Sequence, residues 1–102
     1  MKKTYTFSNE NGTFICFLDY EEEADFETFL TYVCERLGID VPPTSVAPYS
    51  LIAEIAYENA QITASCNTDA GCYLRLPLDS KLVPEAIVQT CYGEASESPN
   101  RR

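Results

Sequence analysis

A chain of 102 residues with sixteen acidic side chains, seven basic ones and no histidine carries a net charge of −9. That length suits one domain, which can bury roughly two thirds of its unfolded surface and so build a core without metal or disulfide staples. The charge argues against nucleic acid and anionic membrane as partners, because a phosphate surface would repel it, and makes a basic protein the natural complement.

Lys2 and Lys3 lead into Tyr5, Thr6, Ser8, Asn9 and Glu10, with no apolar run of the signal-peptide kind, so the expected location is the cytoplasm. Thr4 to Ser8 reads as a short strand, and Asn9-Glu10-Asn11-Gly12 as a hairpin turn whose Asn-Gly pair tolerates positive φ. Thr13 to Tyr20 is the partner strand, with Phe14, Cys16 and Leu18 on one side and Ile15 and Phe17 on the other. Apolar residues on both sides fit either a covered strand, central in its sheet, or an interface strand with one face kept for a partner.

Asp19, Glu21, Glu22, Glu23, Asp25 and Glu27 then place six carboxylates in nine residues with no base among them. They lead into a helix from about Ala24 to Leu37, whose stripe of Phe26, Phe29, Leu30, Val33, Cys34 and Leu37 follows the three- and four-residue steps of one helix face. Carboxylates at a helix N-terminus interact favourably with its dipole, which accounts for Glu23, Asp25 and Glu27 but leaves Asp19, Glu21 and Glu22 without a local reason. Arg36 suits the C-terminal end and Gly38 the stop.

Ile39 to Pro48 is a connector that Pro42, Pro43 and Pro48 make extended and stiff. Three strands follow, over Ser50 to Tyr57, Gln61 to Cys66 and Cys72 to Leu76, joined by turns at Glu58-Asn59-Ala60 and over 67–71 as an antiparallel meander. Ile62, Ala64, Cys66, Leu74 and Leu76 point inward, and Gln61, Thr63, Ser65, Tyr73 and Arg75 outward. A second helix is expected from about Lys81 to Tyr92, capped by Asp79 or Ser80, with Pro84 in its first turn and Gly93 at its end. The order ββαβββα predicts a single α+β domain over 1–93, with a mainly antiparallel sheet carrying both helices on one face, and a flexible tail over 94–102.

The five cysteines form no CxxC pair, and without histidine a zinc site has little to draw on. They read as core thiols of a reducing compartment, Cys16, Cys34 and Cys91 most plainly because they fall among apolar residues. The absence of histidine removes the Ser-His and Cys-His pairs of nucleophilic catalysis. Neither phosphate-binding glycine motif occurs, and the segment from Asp19 to Asp25 lacks the glycine of a calcium loop. Carboxylate pairs among Asp19, Glu21, Glu54 and Glu58 fall beside turns or on wet faces, whereas acid–base pairs need one buried member. Neither enzymatic activity nor a cofactor or metal is expected.

Two surface features remain. One is the acidic run with Tyr20 beside it; the other is the outward face of the meander, with Glu54, Glu58, Gln61, Thr63, Ser65 and Arg75 around Tyr73, a residue type favoured at interfaces. For any one of these residues the ordinary reading is a solvated side chain. Together they give an expected partner-binding set of Asp19, Tyr20, Glu21, Glu22, Glu23, Asp25, Glu54, Glu58 and Tyr73.

In size, acidity and α+β pattern, over about residues 4 to 93, the chain resembles bacterial immunity proteins, including those of contact-dependent growth inhibition systems. The resemblance implies a monomeric cytoplasmic inhibitor that neutralises a basic toxin nuclease by covering its active or substrate-binding surface. These proteins share no sequence motif, so no residue role follows from it. The alternatives are an acidic secretion chaperone, which would be an obligate dimer and commonly starts with a helix where this chain starts with a hairpin, and a nucleic-acid mimic, which would spread its carboxylates over the whole surface.

Overall fold

The computed structural model describes residues 4–48, 50–67, 69, 71–79 and 81–96, with side chains as far as Cys91. The protein is a single α+β domain in which two helices cover one face of a six-stranded antiparallel sheet. Its elements are β1 (Thr4–Asn9), β2 (Gly12–Phe17), a 3₁₀ turn (Glu23–Asp25), α1 (Phe26–Leu37), β3 (Ser45–Ala47), β4 (Ser50–Tyr57), β5 (Ala60–Asn67), β6 (Gly71–Leu76) and α2 (Pro84–Ser96). The expected order holds, with one short strand, β3, added inside the proline connector. The spatial order is β1-β2-β6-β5-β4-β3, so the first hairpin joins the meander through β6.

Alternation sorts the two faces. Ile15, Phe17, Ala53, Ile55, Ile62, Ala64, Cys66, Cys72, Leu74 and Leu76 point toward the helices and are all buried. The predicted α1 stripe, Phe26 through Leu37, meets them and is equally buried, and Ile87 and Cys91 of α2 complete the same core. Burying a side chain of this size contributes about 1.5–3 kcal/mol. Tyr32 ties the helices together by donating its hydroxyl to the Cys91 carbonyl, and Arg36 lies over the Tyr32 ring at 5.1 Å.

Several boundaries differ from the sequence reading. The strand expected to reach Tyr20 ends at Phe17, because the chain turns there with the Tyr20 N–H donating to the Phe17 carbonyl at 3.2 Å; Leu18 therefore leaves the sheet and is exposed. In the first turn Gly12 alone takes positive φ, 139°, while Asn11 donates its N–H to the Asn9 side chain at 2.7 Å. The helix begins with the 3₁₀ turn before α1 and stops at Gly38 as expected. Asp79 does not cap α2, which starts at Pro84; proline disfavours helical geometry in the residue before it, and the Val83 carbonyl takes the first N–H groups, from Ala86 and Ile87. Gly93 does not end α2, whose backbone runs on to Ser96; Ser80 and residues 97–102 of the expected tail lie outside the described residues.

The core-thiol reading also needs one correction. Cys16, Cys34 and Cys91 are free and buried, but Cys66 and Cys72 face each other across β5 and β6, Cα atoms 4.0 Å apart, and are disulfide-bonded. The register brings them together, a proximity that their separation of six in sequence does not reveal. Among the described residues no helix is long and apolar enough to cross a membrane.

Candidate functional site

Among the described residues no element lies over the face of the sheet away from the helices, and its central residues form two rows. The strand registers place Tyr5, Cys16, Tyr73, Ser65 and Ile52 in one, and Phe7, Phe14, Arg75, Thr63 and Glu54 in the other. The β1 side of this face is aromatic. Phe7 stacks on Phe14 with ring centroids 5.0 Å apart, Tyr5 lies 6.2 Å from Phe7, and Tyr73 is 5.6 Å from Phe14. Tyr5 and Phe7 are 47% and 43% exposed, large apolar surfaces on one strand. The β4 side is polar and internally bonded: Thr63 donates to the Glu54 carboxylate at 3.0 Å, Gln61 donates to the same oxygen at 3.1 Å, and Arg75 donates to Thr63 Oγ1 at 3.3 Å.

Between neighbours on this face, Cys16 and Ser65 are buried, although Ser65 lies on the face expected to be wet. A hydrogen bond with Cys16 raises the Tyr5 hydroxyl pKa above its ordinary value, and burial raises that of the Cys16 thiol.

The acidic run folds into a pinned loop at the end of the sheet. Tyr20 accepts the Cys72 N–H at its carbonyl, 2.9 Å, and the Glu22 carbonyl rests 3.1 Å from Cys66 Sγ. Gly71, at φ 76°, allows this approach, since a Cβ there would meet the Tyr20 carbonyl oxygen at 3.1 Å. Asp25 closes the loop from within: its carboxylate accepts the N–H groups of Glu21 and Glu22, both at 3.3 Å. Tyr20 is half-buried, its ring 5.5 Å from Phe29 and 6.4 Å from Tyr32, and burial is the first cause of its raised pKa, ahead of the Tyr32, Asp19 and Asp25 charges.

The loop and the aromatic rows meet. A cleft of about 430 Å³ has Tyr5, Cys16 and Leu18 on its apolar side and Glu21, Glu22 and Asp69 on its acidic side. The expected partner-binding residues therefore separate into groups. Tyr20, Glu21 and Glu22 line the cleft, and Tyr73 and Glu54 lie on the open face that adjoins it. Asp19 is exposed at the end of β2; Glu23 and Asp25 are half-buried in the 3₁₀ turn, and Tyr20 packs on α1. Glu58 stands apart at the tip of the β4–β5 hairpin, where it contributes to raising the Tyr57 pKa after burial and lines a depression with α2 residues.

Tyr5, Phe7 and Phe14 were missed as site residues. Their signal was present, because a two-residue turn after Asn9 sets Phe7 opposite Phe14, with Tyr5 on the same side. A larger depression, about 760 Å³, lies between α1 and the proline connector, but it gathers threonines and prolines with Glu27 and Glu35 and no nucleophile paired with a base. Among the described residues no three His, Cys, Asp or Glu side chains group closely enough to hold a metal ion. Comparison with protein-family models, curated proteins and solved structures finds no match.

Proposed function

We propose that the protein is a binding inhibitor of a basic protein, of the immunity type, which covers the active or substrate-binding surface of a cationic toxin such as a nuclease and performs no chemistry of its own. The observation that carries this reading is the junction at the cleft, where an exposed aromatic surface meets Glu21, Glu22 and Asp69. Aromatic side chains give contact area with few torsions to freeze, and carboxylates beside them steer a positive partner and fix its register. The pinned loop fixes the backbone of Glu21 and Glu22 before contact, which lowers the ordering cost of binding. Those two carboxylates and Asp69 are solvent-exposed, the state of ion-pairing groups and a poor one for an acid–base pair. A nucleic-acid mimic would need carboxylates across the open face as well, where the rows hold mostly aromatic, hydroxyl and aliphatic side chains.

The test is capture from an extract of the source organism at low ionic strength, followed by assay of the captured protein with and without the chain. A basic protein inhibited in one-to-one proportion is expected, with Glu21→Lys/Glu22→Lys slowing its association and flattening the salt dependence. A captured partner that is acidic, or whose activity the chain leaves unchanged, would overturn the reading.

A further inference from the structure

We infer that β1 is the strand to which the cationic partner attaches, an extended segment of that partner adding to its outer edge, which pairs with no described strand, and continuing the sheet; this rests on the basic-partner reading above. The two edges of the sheet differ in how they are protected. β3 has three residues and lies between Pro43 and Pro48, the short, proline-flanked form that blocks further pairing. β1 has six residues, Thr-Tyr-Thr-Phe-Ser-Asn, with no charge, proline or bulge, and its register with β2 is unbroken from Thr4–Phe17 to Asn9–Gly12.

Counted back from the two-residue turn, Asn9, Phe7 and Tyr5 exchange backbone bonds with β2, so the N–H and C=O groups of Thr6 and Ser8 point away from the sheet. The 2.9 Å contact between Ser8 Oγ and Thr13 Oγ1 fits this assignment, because side chains approach closely at pairs that exchange no backbone bonds. Both residues are exposed. The aromatic surface ends at the same edge, so a strand laid along β1 would set every second side chain beside Tyr5 and Phe7.

Charge selects the occupant. Glu10 sits in the turn at one end of β1, and Glu21, Glu22 and Asp69 line the cleft at the other. Lys2 and Lys3 precede β1 in sequence, yet a second copy of the chain would still bring −9 against −9. A segment with an uncharged centre and basic ends would match β1 along its length.

The test uses the full chain, labelled with ¹⁵N, and the peptide Lys-Lys-Val-Thr-Val-Thr-Val-Lys-Lys, with two controls: the same peptide N-methylated at alternate residues, and one with glutamate for lysine. The lysine peptide is expected to slow amide exchange at Thr6 and Ser8 by at least about tenfold at saturation, while the N-methylated peptide loses this protection and the Thr6→Pro variant loses it at Ser8. Binding that shifts only residues 19–25 and leaves Thr6 and Ser8 unprotected would overturn edge addition while keeping the basic-partner reading. Equal protection by the glutamate peptide would overturn the basic-partner reading itself. Pairing of two chains through β1, seen by sedimentation in place of peptide binding, or no binding of any peptide, would overturn the proposed occupant.

Discussion

The Asp25 carboxylate takes the Glu22 N–H at 3.3 Å, and the Asp25 N–H returns to the Glu22 carbonyl at 2.9 Å. This exchange makes Asp25 the carboxylate that shapes the loop from within the acidic run, with Glu22 as its capping-box partner. Asp25→Ala removes an acceptor shared by two backbone donors and should destabilise the domain by about 1 kcal/mol, the usual cost of losing such a cap. Glu21→Ala removes a carboxylate for which no such backbone bond is described, and should stay within about 0.5 kcal/mol. Urea unfolding of the two variants checks the difference; equal losses would mean that Asp25 does not organise the loop.

Gly71 offers an independent route to the same loop. Its φ of 76° strains any residue with a Cβ, and that Cβ would crowd the Tyr20 carbonyl, which the Cys72 N–H holds. Gly71→Ala should cost more than about 1 kcal/mol and speed amide exchange at Cys72, with the β1–β2 ladder little changed. Exchange measured by NMR separates this local loosening from a global loss of stability.

What could be read from the sequence and what could not divide along the range of the contacts. The α1 stripe and its glycine stop and the inward and outward sides of β5 and β6 all depend on neighbours a few residues apart, and local rules capture them. The place of β2 beside β6 depends on residues nearly sixty apart, Cys16 opposite Tyr73, and no local period encodes it. That pairing makes β2 an interior strand between β1 and β6, with Phe14 and Cys16 on the side that no described element covers. The same pairing brings the acidic run to Gly71 and Cys72 and creates the cleft, so the run was recognised while its junction with the aromatic surface was not. Tyr20 joins the two levels, since its ring packs on Phe29 of α1, its backbone belongs to the pinned loop, and it also lines the cleft.

The Cys66–Cys72 bond closes a short loop between adjacent strands. On the chain-entropy account a loop of this length stabilises by about 2 kcal/mol, so reductant should lower the unfolding free energy by roughly that amount. Thiol titration of the unfolded chain should count three groups before reduction, Cys16, Cys34 and Cys91, and five after it. If the double variant Cys66→Ala/Cys72→Ala unfolds at the same urea concentration as the oxidised protein, the bond contributes nothing to stability.

Alkaline pH should destabilise the domain in two stages. Burial raises the Cys34 thiol above 9.0 and the Tyr20 hydroxyl above 10.0, so the folded state holds each proton longer than the unfolded state does. Stability from such groups is complete below the unfolded pKa and is lost as pH rises toward the folded one. The unfolding free energy should therefore begin to fall near pH 9 and fall more steeply above pH 10. Tyr20→Phe keeps the ring against Phe29 and removes one ionising group, so it should reduce the second stage, to which the raised Tyr5 and Tyr57 hydroxyls also contribute, and leave the first intact. Urea unfolding at a series of pH values resolves the two; a variant curve parallel to the parent above pH 10 would show that the Tyr20 proton is not the one that matters.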